Sequence, residues 1–497
     1  MEKIATFRCL KLDNTGKGVV NYNNKYYKIP NFLTNEEAEF FINKSDLKEP
    51  IKLKKIVKRS KERCNPNCPN FGTCPVCTYR HMDYKTEVDS KEAYVKDIFS
   101  KLRDFKYLGI EESKNIDNYK NKAQLFSSLS KAGNITFGYF DPKKKDIYSI
   151  TECNLIDQRF NQIMPVLNKA LTLARITPYE SKGKKGILKN ISIRFAKNEV
   201  MIVLSTNGID LPHREGIVKA LLKAKLNIKN IIQVYSERVG SKFVEKERVL
   251  YGQGFMYEEY DHMKFRISAK SFYESNTEGM FKIYMEAIKL AEINPNDIAL
   301  STFSSIGVLP MLLSRYATTV YAQESNKDNV QDITSSIKAN RINNLNILAK
   351  EPNDAFKEFS KGGVDIVFAE PSDEGLSLEY QNNLIKLAPK KLVYISSNPF
   401  TLEKDVYDLS LKGYSLKKLK AFDVSPRTSE IYALAILEAK SSLTLVKSEH
   451  KKFNNRRDNK LKKNTEEFKK NKLRYIPRAD KDMLVLDKYE KSKIRHR

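Results

Sequence analysis

Apolar and polar residues alternate in short runs through the first 58 positions, as in Leu12-Asp13-Asn14-Thr15-Gly16-Lys17-Gly18-Val19-Val20 and Lys25-Tyr26-Tyr27-Lys28-Ile29-Pro30-Asn31-Phe32. Period-two alternation punctuated by Gly and Asn predicts short strands closing into a small β-barrel. A loop-rich segment follows at 59–90, and 91–260 mixes strand and helix patterns. Ile191–Phe195 and Glu199–Leu204 read as a β-hairpin, His213–Leu226 carries helical spacing, and Ile231–Tyr235 is a further strand. From 261 to 440 helices and strands alternate, with strands placed at Ile298–Phe303, Thr319–Gln323, Asn346–Ala349, Val364–Phe368 and Lys391–Ile395, and an antiparallel ending near Tyr432–Glu438. That rhythm predicts a doubly wound, Rossmann-like parallel sheet. The fold class is therefore α/β: an N-terminal barrel (1–58), a mixed α+β central domain (59–260), a Rossmann-like domain (261–440) and a tail (441–497).

The tail changes the composition. It carries Lys451-Lys452, Arg456-Arg457 and Lys462-Lys463, with few apolar residues before Met483-Leu484-Val485-Leu486, and reads as a basic arm without a packed core. The whole chain of 497 residues has a formal net charge of +27. An excess of that size points to a polyanion, because cations that neutralise phosphates release condensed counterions; a Lys-rich solvated surface is the plainer alternative. Lys17, Lys25, Arg456 and Arg457 are the candidate RNA contacts. The chain holds 26 Tyr and no Trp, so base stacking would fall to Tyr and Phe. No signal-peptide pattern follows Met1, and the longest uncharged run, Ile298–Ser314, contains Gly307 and Pro310 and is short for a spanning helix. The expectation is a cytoplasmic, monomeric protein with no membrane association.

All six cysteines lie at or before position 153. Cys68, Cys74 and Cys77, with Cys153, have the spacing of thiolates around one metal centre, and Phe71-Gly72 inside the longer loop permits the bend. Spacing alone leaves zinc and an iron–sulfur cluster open. Cys64 is a spare or alternative ligand, and Cys9 belongs to a barrel core.

These residues together resemble the RNA uridine-C5 methyltransferases, which make 5-methyluridine in ribosomal and transfer RNA. The resemblance spans residues 5–440. The barrel looks like that family's TRAM domain, and Cys68–Cys77 followed by Tyr79-Arg80-His81 is similar to its cluster motif, with Cys153 at the fourth ligand. The resemblance implies a [4Fe-4S] cluster, with zinc as the alternative, and S-adenosylmethionine as cofactor. Lys270-Ser271-Phe272-Tyr273-Glu274-Ser275-Asn276 resembles Ser-Phe-Phe-Gln-x-Asn. Ala369-Glu370-Pro371-Ser372-Asp373-Glu374-Gly375 stands where the family has Asp-Pro-Pro-Arg-x-Gly. Tyr394-Ile395-Ser396-Ser397-Asn398-Pro399-Phe400-Thr401-Leu402 is similar to Tyr-Val-Ser-Cys-Asn-Pro-x-Thr-Leu, with Asp405 beyond it, and Asp423–Thr428 to Asp-x-Phe-Pro-x-Thr. At the cofactor positions the resemblance places Glu274, Phe303, Gly307, Glu324, Glu351 and Glu370.

The departures fall on the chemistry. Methylating uridine C5 needs a nucleophile to add at C6 and a base to remove the C5 proton. The family's cysteine thiolate is Ser397 here, a hydroxyl that attacks poorly without an activating base. The family's glutamate base is Tyr432, a phenol whose ordinary pKa of about 10 keeps it protonated. Glu430, two residues away, would share its face on a strand and could serve instead. The family's Asp-Leu-Tyr-Cys-Gly-x-Gly appears as Ser301-Thr302-Phe303-Ser304-Ser305-Ile306-Gly307, one acid and one glycine short, which weakens the expected cofactor site. The expected function is a catalytically degenerate RNA-binding protein, with ribosomal RNA preferred over transfer RNA. The alternatives are an active uracil-C5 methyltransferase, or an iron–sulfur redox sensor or ribosome assembly factor.

Overall fold

A computed structural model describes residues 3–43, 50–141, 146–180, 183, 185–239 and 242–440. Arg456, Arg457 and the rest of the basic tail lie outside the described residues. No described helix is long and apolar enough to cross a membrane.

The N-terminal alternation folds as expected. Lys3–Arg8, Glu37–Ile42 and Ile51–Lys58 form one antiparallel sheet, and Lys11–Leu12, Gly18–Tyr22 and Lys25–Ile29 a second. In Glu37–Ile42 every second side chain (Ala38, Phe40, Ile42) is buried, which is the two-residue repeat of a half-buried strand. Phe32, Phe40, Val20 and Cys9 share the core between the sheets.

The central part is a seven-stranded sheet ordered Asp146–Ser149, Ile135–Asp141, Lys122–Leu129, Leu188–Phe195, Val200–Thr206, Ile228–Val239, Lys242–Tyr251. The expected hairpin is its antiparallel centre, with Ile193 opposite Ile202. The helix Arg214–Lys223 carries the crossover to the parallel strand Ile228–Val239. Phe160, Ile163 and Leu167 of the helix Arg159–Leu173 join Ile217 and Leu221 in packing on this sheet.

The third part is an eight-stranded sheet ordered Leu345–Leu348, Thr319–Gln323, Ile298–Thr302, Ile366–Ala369, Lys391–Ser396, Tyr432–Ala439, Tyr414–Phe422, Lys106–Glu111. Its first five strands are parallel, and Tyr432–Ala439 closes antiparallel against Lys391–Ser396. The order reverses between Ile298–Thr302 and Ile366–Ala369, so a crevice opens beyond their carboxyl ends, the usual ligand position in such sheets. The outermost strand, Lys106–Glu111, comes from before position 261 and pairs with Tyr414–Phe422. Val95 and Phe99 of the helix Tyr84–Phe99 are buried with Leu402, Val406 and Leu409 in the same core. Residues 84–111 thus pack with the third sheet rather than the central one.

Candidate functional site

The crevice is built on the loop leaving Ile298–Thr302. Phe303, Ser305 and Gly307 all take left-handed backbone angles, with φ of 60°, 51° and 85°. Gly307 is required twice over, since a Cβ there would also lie 2.9 Å from Ile333 Cγ1. Ser305 holds the same geometry with a side chain, at the position of the missing glycine. Gln323 ties the loop down: its Oε1 accepts from Phe303 N–H at 2.9 Å, its carbonyl from Ser304 N–H at 3.1 Å, and its Nε2 donates to Lys350 O at 2.7 Å.

Beside the loop lies a cavity lined by Tyr273, Glu274, Tyr284, Phe303 and Glu370, among others. Two acid–phenol pairs define it. Tyr284 Oη donates to Glu370 Oε2 at 3.0 Å, and Tyr432 Oη donates to Glu274 Oε2 at 3.0 Å. Burial, reinforced by Glu370, pushes the Tyr284 hydroxyl well above the usual phenol range.

Of the expected cofactor residues, Glu274, Phe303 and Glu370 line this cavity, and Gly307 belongs to its loop. Glu324, one residue past Thr319–Gln323, is buried, and its Oε1 accepts from Asn326 N–H at 2.8 Å. Burial raises its carboxyl pKa, while backbone amides including those of Asn326 and Ser305 pull the other way. Glu351 is exposed at the start of the helix Pro352–Ala355 and does not line the cavity.

Ser397 sits half-buried in the turn between Lys391–Ser396 and the helix Pro399–Ser410. The turn is braced by Ser396 Oγ, which accepts from Asn398 N–H at 3.0 Å, and by Asn398 Nδ2, which donates to Asp373 O at 2.9 Å. Among the described residues no side-chain hydrogen bond reaches Ser397 Oγ. Tyr432 is buried at the head of its strand. Glu430 corrects an expectation: the strand begins at Tyr432, so strand alternation does not carry Glu430 to the same face. Its carboxylate instead accepts from Ser425 Oγ at 2.8 Å.

Cys68, Cys74, Cys77 and Cys153 converge on a second cavity, of about 340 Å³, beside Phe71 and Arg80. Gly72 makes the bend with φ of 85°. Burial raises the Cys74 and Cys77 thiols to about 12 and about 11, and neighbouring cysteines add to both shifts. Among the described residues, no group of three or more His, Cys, Asp or Glu side chains, these four cysteines included, is arranged to hold a metal ion. Cys64 is exposed and apart from the cavity, and Cys9 is buried in the barrel.

The cysteine loop is joined to the segment before Tyr432. Thr78 and Tyr79 N–H both donate to Arg427 O, at 2.9 and 3.2 Å. Arg427 N–H donates to Glu87 Oε1 at 2.6 Å. Buried Lys91 donates to Glu87 Oε1, Asp423 Oδ1 (both 2.8 Å) and Ser425 O (3.3 Å). This network and Tyr284 escaped the sequence reading; neither forms a motif, and Lys91 and Asp423 are 332 positions apart. On the barrel, Lys25 is exposed, whereas Lys17 is half-buried in a turn where its N–H donates to Asp13 Oδ1 at 2.9 Å.

The family model described as tRNA (Uracil-5-)-methyltransferase matches residues 83–440. An uncharacterised RNA methyltransferase of Staphylococcus aureus (strain N315) is 26% identical over 446 residues, covering 88% of this chain and 98% of that protein. One of Staphylococcus epidermidis (strain ATCC 12228) is 26% identical over 447 residues with the same coverage. The Pyrococcus abyssi tRNA (uracil-54, C5)-methyltransferase, solved in complex with S-adenosyl-L-homocysteine, superposes with a TM-score of 0.69 at 21% identity, over 87% of this chain and 99% of that one. With the matched residues spanning both the crevice and the sheet that builds it, the chain belongs to the tRNA (uracil-5-)-methyltransferase family.

Proposed function

We propose that this chain is an RNA-binding member of the family that retains the cofactor cavity and the cysteine site but has lost uridine C5 methylation. The carrying observation is the Tyr432–Glu274 hydrogen bond: at the base position stands a phenol already donating its proton to a carboxylate. Among the described residues no side-chain hydrogen bond reaches Ser397 Oγ, so on this reading neither the addition at C6 nor the removal of the C5 proton has its agent. Two of the family's motif positions have also turned acidic. Asp373 replaces the family's arginine and Glu274 its glutamine, which weakens the hold on a phosphate-bearing substrate.

S-adenosylmethionine, when bound, would carry a transferable methyl group. Glu274, Phe303, Gly307, Glu324 and Glu370 are the residues proposed to hold and orient it, and Glu351 the more distant one. Cys68, Cys74, Cys77 and Cys153 would hold a [4Fe-4S] cluster, with zinc distinguished by metal analysis. The RNA would be structured and cytoplasmic. We favour ribosomal RNA, gripped by the barrel through Lys17 and Lys25 and by Arg456 and Arg457; the family description and the solved relative name transfer RNA, so both belong in the binding assay. The proposed division is barrel (1–58), central domain (59–260, apart from 84–111, which packs with the third sheet), Rossmann-like domain (261–440) and tail.

Family membership and relatives named RNA methyltransferases favour a second reading, an active enzyme. Incubation with RNA containing 5-fluorouridine and S-adenosylmethionine separates the two. The native chain is expected to form no covalent adduct, and the Ser397→Cys/Tyr432→Glu variant to form one. An adduct on the native chain establishes the active reading.

A further inference from the structure

We infer that the cavity beside the Ser301–Gly307 loop discriminates a positively charged ligand from its neutral counterpart, holding the sulfonium methyl donor and rejecting the demethylated thioether. The inference rests on the proposed retention of the cofactor and specifies which form of it the site accepts.

The charged side chains lining the cavity are all of one sign, beside the hydroxyls of Thr277, Ser301, Thr302, Ser304 and Ser305. The carboxylates of Glu274 and Glu370 face it, with the rings of Tyr273, Phe281, Tyr284 and Phe303, and no Lys, Arg or His is among the described residues that line it. The phenol protons are engaged, that of Tyr284 by Glu370 and that of Tyr432 by Glu274. Three of the loop amides are engaged as well. Phe303 N–H donates to Gln323 Oε1, Ser304 N–H to Gln323 O, and Gly307 N–H to Ser304 O. What remains is a negatively charged, ring-walled, acceptor-rich space inside a chain whose net charge is +27.

S-adenosylmethionine and S-adenosylhomocysteine share their adenosine and amino-acid groups, so those contacts cancel in a comparison. They differ by one methyl and one positive charge. That charge is attracted by two carboxylates in partly desolvated surroundings and by the negative faces of aromatic rings. The neutral thioether gains neither. A ratio of at least about tenfold in favour of the cation is expected, corresponding to about 1.4 kcal/mol. Occupancy would then follow the supply of methyl donor and resist the product released by other methyltransferases. RNA binding could thereby be tied to methylation capacity without turnover.

The test is calorimetric titration of the full chain with S-adenosylmethionine, S-adenosylhomocysteine and sinefungin, whose amine restores a positive charge at the sulfonium position. The methyl donor and sinefungin should bind within about threefold of each other, and the thioether at least about tenfold more weakly. In the Glu274→Gln/Glu370→Gln variant the ratio of methyl-donor to thioether affinity should collapse towards one, whatever the change in absolute affinity. Equal binding of all three ligands to the native chain, or a ratio that survives in the variant, overturns the inference and leaves the cofactor reading intact. Binding of none removes the cofactor reading and this inference with it.

Discussion

Lys91→Met isolates the joint between the cysteine loop and the segment leading to Tyr432. The side chain is 2% exposed and donates to two carboxylates and a carbonyl. Methionine fills most of the space and removes the ammonium between Glu87 and Asp423, leaving the Arg427 guanidinium, 3.3 Å from Glu87 Oε2, as the remaining cation on Glu87. Breaking a buried pair by deleting one partner costs about 3–5 kcal/mol. The lower end applies here, because Glu87 still accepts from Arg427 N–H and Asp423 Oδ2 still accepts from Tyr84 Oη at 3.0 Å. The expected loss is therefore about 3 kcal/mol. The pH dependence carries a sign. Lys91 has its pKa raised by Glu87 and Asp423 against the cost of burial; its contribution is complete below the ordinary lysine range and lost only above it. The native chain is thus insensitive to this group near neutrality. In the variant one of the two carboxylates takes up a proton on acidification, so the deficit should narrow by up to about 1.4 kcal/mol per pH unit. Denaturant unfolding at pH 7.5 and 5.5, with hydrogen exchange across 423–432, measures both effects. A loss below about 1 kcal/mol, or one unchanged by pH, refutes the reasoning.

Other outcomes follow from single residues. His81 is fully buried with neither ring nitrogen hydrogen-bonded, and burial, aided by Arg63, lowers its pKa to about 4. Its contribution is present above the ordinary value near 6.5 and lost as pH falls towards 4, up to about 3 kcal/mol; His81→Leu should flatten the stability profile over that range. Ser305→Gly relieves a left-handed serine at φ 51° and should stabilise by about 0.5–1 kcal/mol, read as a higher denaturant midpoint together with tighter methyl-donor binding. Gly307→Ala should cost about 1–3 kcal/mol, because its Cβ meets Ile333 and its φ is 85°. Its cofactor affinity should fall with its stability.

Strands whose apolar residues form unbroken runs were legible in the sequence. Ile298–Phe303 was observed as Ile298–Thr302, Thr319–Gln323 matched at both ends, and Asn346–Ala349 was displaced by one residue to Leu345–Leu348. Tyr414–Phe422 was missed because Lys417, Lys418 and Lys420 break its apolar pattern and a register shift falls between Leu416 and Lys418. Lys106–Glu111 was hidden for another reason: its partner lies about 310 positions downstream, and no local signal names a sheet. The chemistry divides in the same way. Ser397, Tyr432 and the four cysteines stand in motifs and could be picked out one by one. The pairing of Tyr432 with Glu274, 158 positions apart, is a product of the fold. So is the departure of Glu430 towards Ser425, which depends on where a strand begins.

The carbonyl of Arg427 accepts from two consecutive amides immediately after Cys77. A single peptide unit therefore anchors the thiol-bearing loop to the stretch that in an active relative would deliver the base. Exchange of the nucleophile and the base leaves that anchor untouched, because neither Ser397 nor Tyr432 takes part in it. The joint and the residues at the nucleophile and base positions are in this way uncoupled: either can change while the same backbone is still demanded at both ends of the joint.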